Sequence, residues 1–129
     1  MKHSNALILE KIYEDFANGN IDSMLRSCDE KITFQVAGKS KLAGKFTKEN
    51  FKAGFFDKLS TLSDGTFKLE VHDVLASDRH GIVLASNSFT RAGEKVELRT
   101  VHVWRFEKGK PVAWYEYPRD LYRFDQVWA

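Results

Sequence analysis

"VHVWRFEKGKPVAWYEYP", residues 101–118, holds two runs of alternating apolar and polar residues on either side of Lys108-Gly109-Lys110. A period of two marks a half-buried strand, and a short glycine-bearing turn joins two such strands as an antiparallel hairpin. Taken as a three-residue turn, it sets Phe106 opposite Val112, Trp104 opposite Trp114 and His102 opposite Glu116. These six share a face with Leu98 and Thr100, whereas Arg99, Val101, Val103, Arg105, Ala113, Tyr115 and Tyr117 occupy the reverse. A slip of one residue sends Glu116 away from His102, so the register decides whether the two ionisable groups meet.

The same period runs upstream through "TFKLEVHDVLAS" (66–77), "HGIVLASNSFTR" (80–91) and "EKVELRTVHVWRF" (94–106). Turns at Ser77-Asp78-Arg79-His80 and Arg91-Ala92-Gly93 separate these segments, so together with 110–118 they form an antiparallel meander. Nearer the start the period is helical. Ile8, Leu9, Ile12, Tyr13 and Phe16 make one stripe, capped by Ser4 or Asn5 and stopped by Asn18-Gly19-Asn20. Asn20 caps a short second helix with Ile21, Met24, Leu25 and Cys28 inward. "KITFQV" (31–36) is a strand with Ile32, Phe34 and Val36 on one face, and Thr47 caps a third helix carrying Phe51, Phe55, Phe56, Leu59 and Leu62. After Pro118, Asp120 caps a terminal helix that returns Leu121, Phe124 and Trp128 to the core.

Helices first and strands after predict an α+β fold: one domain over residues 1–129, with a strongly curved antiparallel sheet covered by N-terminal helices and a short C-terminal helix. A curved sheet under helices leaves a cavity. The 43% hydrophobic and 13% aromatic content supplies the walls. Twenty Lys and Arg against eighteen Asp and Glu give a net charge of only +2 with mixed signs, which argues against a nucleic-acid or membrane partner. A lone Cys28 and an apolar run of only Ala6 to Leu9 near the start fit a reducing, cytoplasmic setting. His3, His72, His80 and His102 lack metal spacing, and no phosphate-cradling or nucleophile-elbow motif occurs, which points to chemistry or binding with no metal and no cofactor.

If Glu116 points inward it needs a partner, and His102 is nearest by geometry. Glu116 then fixes the tautomer of His102 and leaves the other ring nitrogen facing the cavity as acid or base. Asn87, on the alternate set of Ala85 and Phe89, supplies an amide to an oxygen of the ligand. Tyr13, Phe16, Phe56, Trp104 and Trp114 are the aromatic binding candidates. A purely structural set is the alternative: His102 bonds across the sheet, Glu116 reaches Arg119 or Arg123, and Asn87 satisfies a backbone group.

"YEDFANGNIDSM", "DEKITFQVAG", the 101–118 hairpin and "DLYRFDQVWA", in that order, resemble SnoaL-like members of the NTF2-like superfamily. The resemblance implies a cone-shaped fold with a deep cavity, a homodimer built on the outer sheet face, and activities ranging from isomerases, cyclases and dehydratases to plain binding. Aligned on the ketosteroid isomerase pattern, Gln35 stands where a catalytic aspartate would be, His102 at the oxyanion-hole acid, Phe56 at a supporting tyrosine, and Ile12 rather than Tyr13 at the helix-one tyrosine. Glutamine cannot accept a proton, so that isomerisation is not expected; Gln35 is left as a contact to an oxygen. Three functions remain: acid/base chemistry of isomerase, cyclase or hydratase type on a small apolar molecule, binding of such a molecule without chemistry, or a dimeric interaction module.

Overall fold

The computed structural model describes residues 2–129. Helices α1 (Ser4–Ala17) and α2 (Ile21–Arg26) come first, followed by strands β1 (Thr33–Val36) and β2 (Gly44–Thr47). A π-helical turn, Lys52–Phe56, leads into α3 (Asp57–Leu62), and then β3 (Lys68–Ala76), β4 (His80–Arg91), β5 (Glu94–Glu107), β6 (Lys110–Pro118) and α4 (Leu121–Val127) complete the chain. The sheet is open, in the order β2-β1-β6-β5-β4-β3. The strands from β3 to β6 form the expected antiparallel meander, β1 joins β6 in parallel, and β2 extends the edge antiparallel to β1. This is the α+β architecture with N-terminal helices and a short C-terminal helix.

The register brings His102 opposite Glu116 and Trp104 opposite Trp114, by a route the sequence did not disclose. Glu107 pairs with Lys110 across a two-residue turn in which Lys108 and Gly109 both have positive φ, 51° and 77°. Such a turn matches the right-handed twist of the strands, and Gly109 adopts it without a Cβ penalty. Phe106 consequently faces Pro111, not Val112, and a bulge between Arg105 and Phe106 restores the pairing beyond.

Four further corrections concern local structure. Thr47 ends β2, a strand the sequence reading missed, and its amide donates to Asn50 Oδ1. The third helix opens on the π turn, where a Cβ on Gly54 would lie 2.8 Å from the ring of Phe46. His3 caps α1 by accepting from the amide of Asn5, and Asn20 makes no side-chain cap bond to α2. Leu121 is exposed, so only Phe124 and Trp128 return to the core, while Asp120 does cap α4.

One continuous core carries two groups of stacked aromatics. Phe34, Phe51, Phe55 and Trp114 pack near one end, with Phe34 and Phe51 stacked at 3.8 Å. Phe67, Phe89 and Trp128 form the other, with Phe89 and Trp128 at 4.3 Å. Arg91 pins this second block by donating to the carbonyls of Leu62, Val127 and Ala129, and Asp125 accepts from the amide of Lys39. Burying an aromatic side chain contributes about 2–3 kcal/mol, so these blocks are major sources of stability. Among the described residues no helix is long and apolar enough to cross a membrane.

Candidate functional site

Between the concave face of the sheet and the helices lies a narrow cavity of about 60 Å³. Helix α1 contributes Ile12, Tyr13 and Phe16, the π turn and α3 contribute Phe55, Phe56 and Leu59, and the sheet contributes Asn87, His102, Trp104, Trp114 and Glu116. Space of this size holds a few waters but is smaller than the roughly 150 Å³ cavity that receives a benzene ring. Phe16, Phe56 and Phe67 are only half-buried, which makes them the wall nearest solvent. Phe16 approaches Phe56 at 5.5 Å and Phe67 at 6.2 Å.

One polar chain crosses this apolar space. Thr100 Oγ1 donates to Glu116 Oε2 at 3.0 Å, and His102 Nε2 lies 3.4 Å from the same oxygen. On the other side of the ring, His102 Nδ1 meets the Tyr13 hydroxyl at 2.5 Å, and Trp104 Nε1 donates to that hydroxyl at 3.1 Å. His102, Glu116 and Thr100 are all buried. Burial pushes the Tyr13 hydroxyl well above its usual range, against the smaller opposing effect of the indole N–H groups of Trp104 and Trp114. Tyr13 therefore keeps its proton. With its oxygen already accepting from Trp104, that proton goes to Nδ1, which leaves Nε2 carrying the hydrogen towards Glu116.

This arrangement corrects the expected one. Both nitrogens of His102 are engaged, so no free imidazole nitrogen faces the cavity; the proton-bearing group on the wall is Tyr13, with His102 behind it. Glu116 bonds Thr100 and His102 and not the arginines of the rim. Gln35 does not reach the cavity. Its neighbours Phe34 and Val36 are buried inward, and its partner across the parallel pair is Tyr115, on the outer face. Tyr13, Phe16, Phe56, Asn87, Trp104 and Trp114 do line the space. Thr100 was placed on the right face but not in the site, although its position two residues from His102 was the available signal. Trp128 entered only as core, yet it also lines the cavity.

Among the described residues no group of three or more His, Cys, Asp or Glu side chains converges to hold a metal. Cys28 lies buried just beyond the end of α2, and burial pushes its thiol up to about 12, with Lys48 opposing. A thiol raised on folding stabilises the protein fully below the unfolded value of 9.0, and that contribution drains away as pH rises towards 12. Unfolding free energy is thus expected to fall above pH 9 by about 1.4 kcal/mol per pH unit from this group, with Tyr13 adding to the loss from pH 10. Urea midpoints at pH 7, 9 and 10.5 measure the slope, and Cys28→Ala should flatten it; an unchanged slope in that variant removes the thiol from the account.

The fold has its counterpart in known proteins. A family model described as a SnoaL-like domain matches residues 9–114, most of the chain. The chain belongs to the SnoaL-like family. The matched span contains Tyr13, His102, Trp104 and Trp114 but stops short of Glu116. This SnoaL-like chain is 27% identical to Bal32a, from a soil-derived mobile gene cassette, over 98% of this chain and 97% of that one, with a TM-score of 0.89. An NTF2-like protein of unknown function from Burkholderia pseudomallei is 20% identical, with 98% of each chain covered and a TM-score of 0.86. TerC, co-crystallised with polyporic acid, is 19% identical over 97% of this chain and 98% of that one, at a TM-score of 0.84. No curated protein matches the SnoaL-like chain.

Proposed function

We propose that the chain binds a small, largely apolar molecule carrying an oxygen, and that Tyr13 turns its one hydroxyl proton from His102 Nδ1 to hydrogen-bond that oxygen, in proton-transfer chemistry that needs no cofactor. The observation that carries this reading is the Tyr13, His102 and Glu116 chain set within aromatic walls. A neutral hydroxyl in a dry site is a strong donor to an oxygen on which negative charge develops. Glu116 is the only carboxyl side chain on the cavity wall among the described residues, so it is the acceptor for a proton leaving the carbon beside that oxygen. His102 stands between the two as a positioning residue, its Nε2–H directed to Glu116 and its Nδ1 beside the Tyr13 hydroxyl. Such proton shifts are the common step of isomerase, cyclase and hydratase chemistry. TerC's co-crystallisation with polyporic acid supports the same class of ligand.

Binding is tested with 2-naphthol, a flat apolar molecule with one hydroxyl. It is expected to raise the melting temperature and to bind with about tenfold lower affinity to Tyr13→Phe, the cost of one buried hydrogen bond. No stabilisation at any soluble concentration counts against the reading. Because the cavity is smaller than one that receives a benzene ring, entry requires Phe16, Phe56 or Phe67 to swing aside, so association should be slower than diffusion-limited. Two further parts of the reading stand on the surface and the thiol. The outer sheet face, with exposed Leu84 and Tyr117 beside Tyr115 and Gln35, is the proposed homodimer interface. The buried free thiol of Cys28 suits a cytoplasmic setting.

A further inference from the structure

Asn87 is buried and lines the cavity, and among the described residues its Oδ1 has no hydrogen-bond partner in the protein. Trp128 is the same case with the opposite polarity: its Nε1 is buried, also without a protein partner, and also on the cavity wall. One is an acceptor lacking a donor and the other a donor lacking an acceptor. Leaving such groups unmatched costs about 1–3 kcal/mol each, so they call for an occupant that offers both functions. A hydroxyl does; a carbonyl or ether oxygen can accept from Trp128 but has nothing to donate to Asn87.

We infer that the ligand carries a second oxygen, a hydroxyl held by Asn87 and Trp128 at the end of the cavity away from Tyr13. The inference rests on the reading of the cavity given under Proposed function and narrows its substrate class. The cross-strand pairs set the two polar ends apart along the sheet. His102, which backs Tyr13, lies beside Val83, and Asn87 is four residues further along β4, beside Leu98. Four strand residues span roughly 13 Å of backbone, so the two polar ends belong to different stretches of the sheet. The substrate class is thus an elongated molecule with a hydroxyl at one end and a hydroxyl or carbonyl at the other.

The orphaned amide also makes a claim on the free protein. Leucine is nearly the shape of asparagine and needs no partner, so Asn87→Leu should melt a few degrees higher than the natural chain. Affinity is then measured by calorimetry for 2-naphthol and 2,6-dihydroxynaphthalene, which differ by the second hydroxyl alone. The diol is expected to bind the natural chain about tenfold more tightly, an advantage that vanishes in Asn87→Leu and shrinks in Trp128→Phe. If 2-naphthol binds through Tyr13 but the diol gains nothing, or keeps its gain in Asn87→Leu, the hydroxyl site is overturned while the ligand reading stands. If neither compound binds, both fall. A lower melting temperature for Asn87→Leu would mean that the amide is already served by the fold, and would also overturn the hydroxyl site.

Discussion

Replacing His102 with leucine is expected to lower the unfolding free energy by about 3–5 kcal/mol, the usual result of removing one member of a buried pair and stranding the other. The size follows from what is left behind. Glu116 keeps only the hydroxyl of Thr100, and the Tyr13 hydroxyl, which still accepts from Trp104, has nowhere to place its proton. Each stranded group carries its own desolvation cost. The deletions are therefore expected to be non-additive: the triple variant Tyr13→Phe, His102→Leu, Glu116→Leu should be more stable than His102→Leu alone, because it removes the groups that the single change orphans. Urea unfolding of the four single and combined variants at pH 7 measures this directly. Additive losses would mean that the hydrogen bonds across His102 are not formed in solution. For the same reason His102 is a poor place to test function alone, since lost turnover there would be entangled with lost stability.

The sequence made the concave face legible and much of the route to it opaque. Alternation alone brought His102, Trp104, Glu116 and Trp114 to one side, because a half-buried sheet writes its inner face at every second residue. The turn is one residue shorter than its composition suggests, and the bulge at Arg105 compensates for it; bulges have no composition of their own beyond glycine, and none stands at Arg105. Strand β2 offered only Phe46 as an apolar residue in Gly44–Thr47, too little to show a period. Gln35 went astray for a different reason. The alternation of "KITFQV" turns Phe34 and Val36 inward and so places Gln35 outside, against its position in the isomerase pattern. Local physics was the better guide there. The contact between Tyr13 and His102 joins residues 89 apart in sequence, and only the packing of α1 across the sheet creates it. The unmatched atoms of Asn87 and Trp128 are likewise a property of the whole interior, invisible to any window of sequence.

Tyr13→Phe separates a binding protein from an enzyme, because it removes one oxygen and leaves the ring that packs at 5.8 Å from His102 in place. For a carrier, the loss is confined to affinity, about tenfold for an oxygen-bearing ligand. For acid/base chemistry the loss is concentrated in the transition state, where charge gathers on the oxygen, and a positioned acid is worth about 10²–10⁴ in rate. A ketone such as 2-tetralone reports on this without knowledge of the natural substrate. Loss of the proton beside its carbonyl to Glu116 forms an enolate whose oxygen Tyr13 stabilises, and return of a solvent deuteron completes an exchange that NMR follows in D₂O. The natural chain is expected to accelerate that exchange over buffer, Tyr13→Phe to lose the acceleration by about a hundredfold or more with a smaller change in KM, and Glu116→Gln to abolish it. Exchange at the buffer rate in the presence of bound tetralone would assign the cavity to binding alone, with Tyr13 as an anchor and no proton transferred.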